Sequence, residues 1–414
     1  LALSALASCN LDQFPDDAID TTHAMESVSD CENFRTGLYA GMKYCFTGIY
    51  VYAPELQTDL YHAVLNFGNF QGAFYSYSVL ANEGACNNAW FGLYNYIANA
   101  NFLIEGTRKL LDRGTLSEAD AALVRRYYGE ACYIRAHMYY LLVQFFCEDY
   151  EPATAGDVYG VPVVTVYAPT PDASKYPSRG SLAKTYAQIV ADLTEAETYV
   201  TAPGQPNSIF VTADVVAALQ ARVALSMHDY STAFNKAKGL IDSGRYPLES
   251  DRTAYAEAWL RDNLCETLWQ PVMTGPDDTG NSFPYFINNA TGREGEDNPQ
   301  YVPEDWALKL YDKTNDIRYD AYFSERELRM PVTGRLTLLV KYPGNPQLYT
   351  QTTNYVNQPK VFRISEMYLI AAESESETLN DGLPYINTLR NKRGISNLGS
   401  LTVTDLTYEY MREL

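Results

Sequence analysis

What the sequence lacks narrows its chemistry first. It holds no GxSxG elbow, no GxxxxGK phosphate loop and no GxGxxG turn, which removes the common nucleophile, nucleotide and dinucleotide sites. Histidine is scarce: His23, His62, His137 and His228 share no HExxH or other ligand spacing and read as turn or core residues. No two cysteines form a CxxC pair, so neither a zinc knuckle nor a thioredoxin-type site is supported. Cys31, Cys45, Cys86, Cys132, Cys147 and Cys265 read as small buried hydrophobes, and sequence assigns no pairing among them. No run of eighteen apolar residues exists to cross a bilayer as a helix. Positive charge is also short. With 31 basic against 51 acidic residues the net charge is −20, and without a basic block the chain suits neither nucleic acid nor anionic lipid.

What is present is a soluble globular composition, 46% hydrophobic over 414 residues, enough for two or three cores. Tyrosine stands out, with 35 copies beside 16 Phe and 4 Trp. Its flat apolar face and hydroxyl suit ligands that are themselves amphipathic, sugars among them. Leu1-Ala-Leu-Ser-Ala-Leu-Ala-Ser-Cys9 reads as the tail of a hydrophobic signal segment.

Helical periodicity organises most of the chain. Helices are expected near 30–45, over Ala89–Leu111, and from a Ser117-x-x-Asp120 cap to about Phe146, its stripe running through Leu123, Tyr127, Ala131, Ile134, Met138, Leu142 and Phe145. Ser181–Tyr199, Thr212–Met227 and Ser231–Ser243 follow. Ala217–Gly239 fits the tetratricopeptide pattern, with Ala221, Ala224, Ala233 and Ala237 at helix crossings and His228-Asp229-Tyr230 as the turn. Residues 361–394 form a second pair. Met367, Leu369, Ile370, Ala371 and Ala372 stripe its first helix, Ile386, Leu389 and Arg390 mark the other, and Asn380-Asp381-Gly382 separates them. Gly382 is expected to supply a positive φ there. Residues 59–80 read as an aromatic loop, and 260–360 as a Gly-, Pro- and Asn-rich insertion of weak helical pattern.

Several of these stretches also have a family look. Arg363-Ile-Ser-Glu366-x-Tyr368-Leu369-Ile-Ala-Ala372-Glu373 with Asn387-x-x-Arg390-x-x-Arg393, the Gly129-Glu130-x-x-Tyr133-Ile134-Arg135-Ala136 helix, Gly160-Val161-Pro162 and Ser178-Arg179-x-Ser181 occur in this order. The set resembles the SusD/RagB family of outer-membrane nutrient-binding lipoproteins of the Bacteroidetes. Leu6-Ala7-Ser8-Cys9 resembles a bacterial lipobox, which would make Cys9 the lipid-bearing terminus. The family pattern continues past Arg412-Glu413-Leu414, where this sequence stops.

The resemblance implies an all-α fold of tetratricopeptide-like helical repeats with a loop-rich insertion. The divisions expected are a signal remnant at 1–8, an N-terminal helical region at 9–258, a ligand-binding insertion at 259–360 and a closing helical pair at 361–414. It implies a surface lipoprotein, anchored at the outer membrane, that captures a nutrient glycan and passes it to a SusC-like TonB-dependent barrel. A peptide-binding RagB-like role is the alternative, and a surface glycoside hydrolase a remote one. In starch-binding relatives a similar helix start contributes a stacking Trp and a polar Asn, which carries over to Trp90 and Asn95. Composition and loop placement add Tyr61, His62, Phe74, Tyr75, Tyr77, Tyr285 and Trp306. No cofactor is implied, although the oxygen-rich loops Asp277-Asp278 and Glu294-x-Glu296-Asp297-Asn298 have the chemistry to hold Ca²⁺. Glu373, Glu375 and Glu377 read as a solvated edge, and Arg135 and Arg363 as buried partners of acids such as Glu130 or Glu366.

Overall fold

The computed structural model describes residues 24–65, 68–274, 286, 297–328, 334–348, 356–374 and 379–414. Within these, α1 (Val28–Met42), α2 (Ile49–Gln57), β1 (Tyr61–Ala63) and α3 (Gly72–Tyr75) form the entry. Helices α4 (Gly84–Asp112), α5 (Glu118–Phe146), α6 (Leu182–Tyr199), α7 (Ala213–Ser226) and α8 (Tyr230–Asp242) make the scaffold. Then come α9 (Arg252–Leu260), β2 (Thr267–Trp269), β3 (Tyr301–Pro303), α10 (Asp305–Leu308), α11 (Ile317–Tyr322), and the strands β4 (Phe323–Leu328) and β5 (Gly334–Leu339). The strand β6 (Phe362–Arg363) leads into α12 (Ile364–Ser374), α13 (Leu383–Lys392) and α14 (Val403–Glu413). The fold is mostly helical, with three two-stranded ladders.

The scaffold follows from local sequence. Ser117 caps α5, its hydroxyl accepting from the Asp120 amide at 3.1 Å, and Asp229 caps α8 by accepting from Thr232 N at 3.1 Å. His228 takes a positive φ of 61° in the tight turn between α7 and α8. Ala221, Ala224, Ala233 and Ala237 are all buried where those helices pack, since small side chains let helix axes approach closely. Almost every residue from Tyr127 to Val143 on α5 is buried, because α4 and α6 cover it from two sides. Leu123 departs from the expected stripe. It lies one turn before α5 enters the core and is exposed. Helix α12 packs on α8, α13 and α14, so the C-terminal pair shares one core with α4–α8.

Two local expectations are corrected. Residues 59–80 are not loop throughout, because β1 pairs antiparallel with β3 (Tyr61 opposite Pro303, His62 opposite Val302, Ala63 opposite Tyr301) and α3 follows. A three-residue strand whose partner lies more than 200 residues away leaves no local signal. Gly382 has φ −74° rather than a positive value. It is needed because a Cβ there would lie 2.0 Å from the Ala372 carbonyl oxygen, where α13 starts against α12. The left-handed glycine of this unit is Gly394, φ 79°, just past α13.

Arginine partners differ from those expected. Arg135 pairs with Asp192, and Glu130 with Arg35. Glu366 pairs with Arg222 at 2.6 Å, and Arg363 with Glu413 at 2.7 Å. The last pair belongs to a buried network. Arg393 donates to both Glu266 oxygens at 2.7 Å and to Glu413 at 2.8 Å, while Arg318 holds Asp316 at 2.8 Å and Glu413 at 3.1 Å. The six described cysteines are free thiols.

Candidate functional site

Pairing of β1 with β3 brings the aromatic stretch at 61–77 beside the segment 301–306. A small apolar cluster of Tyr52, Ala53, Leu56, Ala63, Phe74, Phe286 and Tyr301 pins the two segments together. Phe74 is spent on this anchor and is buried, so it is not a surface residue. Its neighbours turn outward, Tyr75 with 37% and Tyr77 with 62% of its surface exposed. Tyr77 takes a φ of 52°, a conformation uncommon for a bulky side chain and found where a structure over-determines it. Its hydroxyl donates to the Gln57 carbonyl, which fixes the ring from below.

Glu304 follows β3 and joins it to the aromatic stretch. Its amide donates to Leu60 O at 2.8 Å. The Tyr75 hydroxyl donates to its Oε1 at 3.2 Å, and His62 Nδ1 lies 2.9 Å from the same oxygen without hydrogen-bond geometry. The hydrogen bond to Glu304 and that carboxylate's charge raise the Tyr75 phenol above its ordinary pKa, with Asp59 adding to the effect. Trp306, two residues on in α10, presents an indole 39% exposed. The groups assembled are thus exposed aromatic side chains on neighbouring segments, one of them bonded to a carboxylate. They can stack and exchange hydrogen bonds, which is the chemistry of reversible recognition.

The other expected residues fall elsewhere. Tyr61 is half-buried, edge-on to Phe286 at 5.4 Å, and burial pushes its phenol pKa up. It borders an inner cavity of about 640 Å³ walled by Trp259, Tyr322, Tyr342, Lys341 and Lys360, in which burial drives the Lys341 amine well below its usual pKa. Trp90 is half-buried, its ring 5.0 Å from both Tyr94 and Phe146. Asn95 is exposed on the same helix. Tyr285 and Cys9 lie outside the described residues, as do all the oxygen-rich positions except Asp297, which is buried, and Asn298. Two surface residues escaped the sequence reading. Glu304 sits in Pro303-Glu304-Asp305-Trp306, where acids beside a Trp were the available signal. Phe91, 73% exposed and one turn before Asn95, was hidden by its neighbour Trp90.

Residues 11–225, just over half of the chain, match a SusD-like family described as "Starch-binding associating with outer membrane". The chain belongs to the SusD-like family. Solved structures resemble this SusD-like protein over nearly its whole length. A SusD superfamily protein from Bacteroides thetaiotaomicron superposes with a TM-score of 0.79 at 22% identity, covering 94% of this chain and 86% of the other. A SusD-like carbohydrate binding protein from Bacteroides vulgatus gives 0.73 at 18%, covering 93% and 79%. Surface glycan-binding protein A from Bacteroides uniformis gives 0.70 at 19%, covering 93% and 85%. No curated protein matches the sequence significantly. No described helix is long and apolar enough to cross a membrane.

Proposed function

We propose that this SusD-like protein captures a nutrient glycan at the outer cell surface and hands it to a SusC-like TonB-dependent barrel, contributing affinity and leaving the chemistry and transport to its partners. One observation carries the reading: Tyr75, Tyr77 and Trp306 are exposed on neighbouring segments of a family scaffold, with Tyr75 bonded to Glu304. A sugar ring offers a C–H face for the aromatic rings and hydroxyls for the carboxylate, and side chains with few rotatable bonds lose little entropy on contact. On this reading the glycan leaves whole. Lipid on Cys9 would hold the protein at the membrane while the helical body stays in water.

Trp306→Ala is expected to weaken retention by a recognised polysaccharide in affinity electrophoresis about tenfold, the equivalent of ~1.4 kcal/mol, with an unchanged circular dichroism spectrum. Equal retention would remove Trp306, and with it this face, from binding. Cys9→Ala in the cell is expected to move the protein out of the outer-membrane fraction without loss of fold. Its continued presence there would refute the anchor.

A further inference from the structure

Several helices of this chain close on a residue in the left-handed region, two positions past the last helical one. Glycine holds that place after α4, α8 and α13 (Gly114 and Gly244 with φ 64°, Gly394 with φ 79°), where the missing Cβ removes the strain. Asp59 after α2, His228 after α7 and Asp262 after α9 are of the polar types that accept the conformation more readily. After α3 the residue is Tyr77, with φ 52°, the one bulky ring hydrophobe at this position among the described residues. In every other respect α3 ends as a glycine stop does. Ser78 N donates to Ala73 O at 2.9 Å and Tyr77 N to Phe74 O at 3.3 Å, the paired bonds of a Schellman turn.

The interior does not ask for this side chain. Tyr77 is 62% exposed, and among the described residues no other ring and no cation packs on it. Its side-chain hydrogen bond is the one its hydroxyl donates to Gln57 O, a carbonyl at the open C-terminal end of α2. That bond aims the ring and at the same time spends the hydroxyl proton. What Tyr77 offers outside the molecule is therefore the flat apolar face of a ring whose direction is already set. A residue kept in a strained conformation that its own fold does not require points to a role outside the fold.

We infer that Tyr77 is a preset stacking platform, kept at a glycine position because its ring packs on the C–H face of a bound sugar, with the Gln57 carbonyl setting the ring's direction. The inference deepens the glycan reading and rests on it. Contact with a ring that is already fixed loses little entropy, and it needs no hydrogen bond from Tyr77. The fold gives up stability for this contact, so relieving the strain should remove binding without removing stability.

The test is affinity electrophoresis and thermal melting of the whole protein carrying Tyr77→Asn or Tyr77→Phe. Starch, a mixed-linkage β-glucan, galactomannan and xylan serve as probes. Asparagine accepts the left-handed conformation, so relief of strain offsets the lost bond to Gln57, and Tyr77→Asn is expected to melt within about 3 °C of the parent. Its retention by the recognised polysaccharide should fall about tenfold. Tyr77→Phe keeps the ring and loses only its tether, so its retention should stay within about threefold of the parent's. Parent-like retention in Tyr77→Asn would overturn the platform. A melting temperature lowered by more than about 3 °C in Tyr77→Asn would show that the fold itself needs the tyrosine, overturning the inference while leaving glycan capture standing. A loss in Tyr77→Phe as large as in Tyr77→Asn would move the effect from the ring to the hydroxyl and overturn the stacking role. If none of the polysaccharides retains the parent, the glycan reading itself fails, and this inference with it.

Discussion

Between α7 and α8 the interior is made of alanine. Ala218, Ala221 and Ala224 on one helix and Ala233 and Ala237 on the other are buried, and the helices need nothing more specific to lie close. Between α11, α13 and α14 the interior is made of charge. Arg318, Arg393, Glu409 and Glu413 are buried and answer one another across the gap, with Glu266 joining from just before β2 and Arg363 from β6. The α7–α8 hairpin is held mainly by close apolar packing, its alanines joined by Val215, Leu219 and Leu240. The charged half is held by complementarity, since removing one member strands its partners in a low dielectric. The first arrangement is built from contacts close in sequence, and the second from residues up to about 150 positions apart, so the two should fail differently.

The largest break should come at the centre of the network. Arg393→Met leaves Glu266 without its cation and weakens the hold on Glu413, and an uncompensated buried charge costs roughly 3–5 kcal/mol. Urea denaturation would report it, and a loss below about 1 kcal/mol would show that the network is ornamental. Acid sharpens the same point. Burial raises the Glu413 carboxyl, but Arg393 and Arg363 outweigh it and hold the pKa well below the usual value. A carboxylate depressed in the fold contributes stability above its unfolded pKa, about 4.3, and loses it as the pH falls. The stability difference between the parent and Glu413→Gln should therefore narrow as the pH is taken below about 4.

Gly382→Ala comes next. A Cβ 2.0 Å from the Ala372 oxygen must push α12 and α13 apart, at about 3 kcal/mol, the upper end of overpacking. Full stability in this variant would mean that the junction yields freely. Ala221→Leu should cost roughly 1–3 kcal/mol by overpacking the alanine interface. An unchanged melting temperature would show room where the helices are expected to touch.

The smallest effects separate two tryptophans. Trp90→Ala should lower stability by about 1–2 kcal/mol, because its half-buried ring packs on Tyr94 and Phe146. Trp306→Ala should alter stability by less than about 0.5 kcal/mol while glycan retention falls. Thermal melts and electrophoresis on the same pair of variants would show whether the roles are divided in this way.

Much of the helical scaffold was legible because helices announce themselves locally. The Ser117 cap, the α5 stripe and the alanines of α7 and α8 all lie within a few residues of what they contact. The family signature at 363–393 was equally local. The arginine partners were not legible, because a sequence shows that Arg135 and Arg363 are buried among apolar neighbours without saying that Asp192 and Glu413 wait across the fold. The same limit applied to the binding face. Tyr75, Tyr77 and Trp306 were visible as aromatic residues in loops, but Phe74, one position from Tyr75, looked identical and proved to be an anchor.

Composition and periodicity thus determined the helical class, the repeat-like pairs and the acidic character, since each depends on residue type and short spacing. Tertiary structure alone decided that β1 meets β3, that Tyr75 bonds to Glu304, and that Trp90 packs against Tyr94 and Phe146. A β-ladder between segments over 200 residues apart is fixed by the packing of everything between them, and no local pattern encodes it.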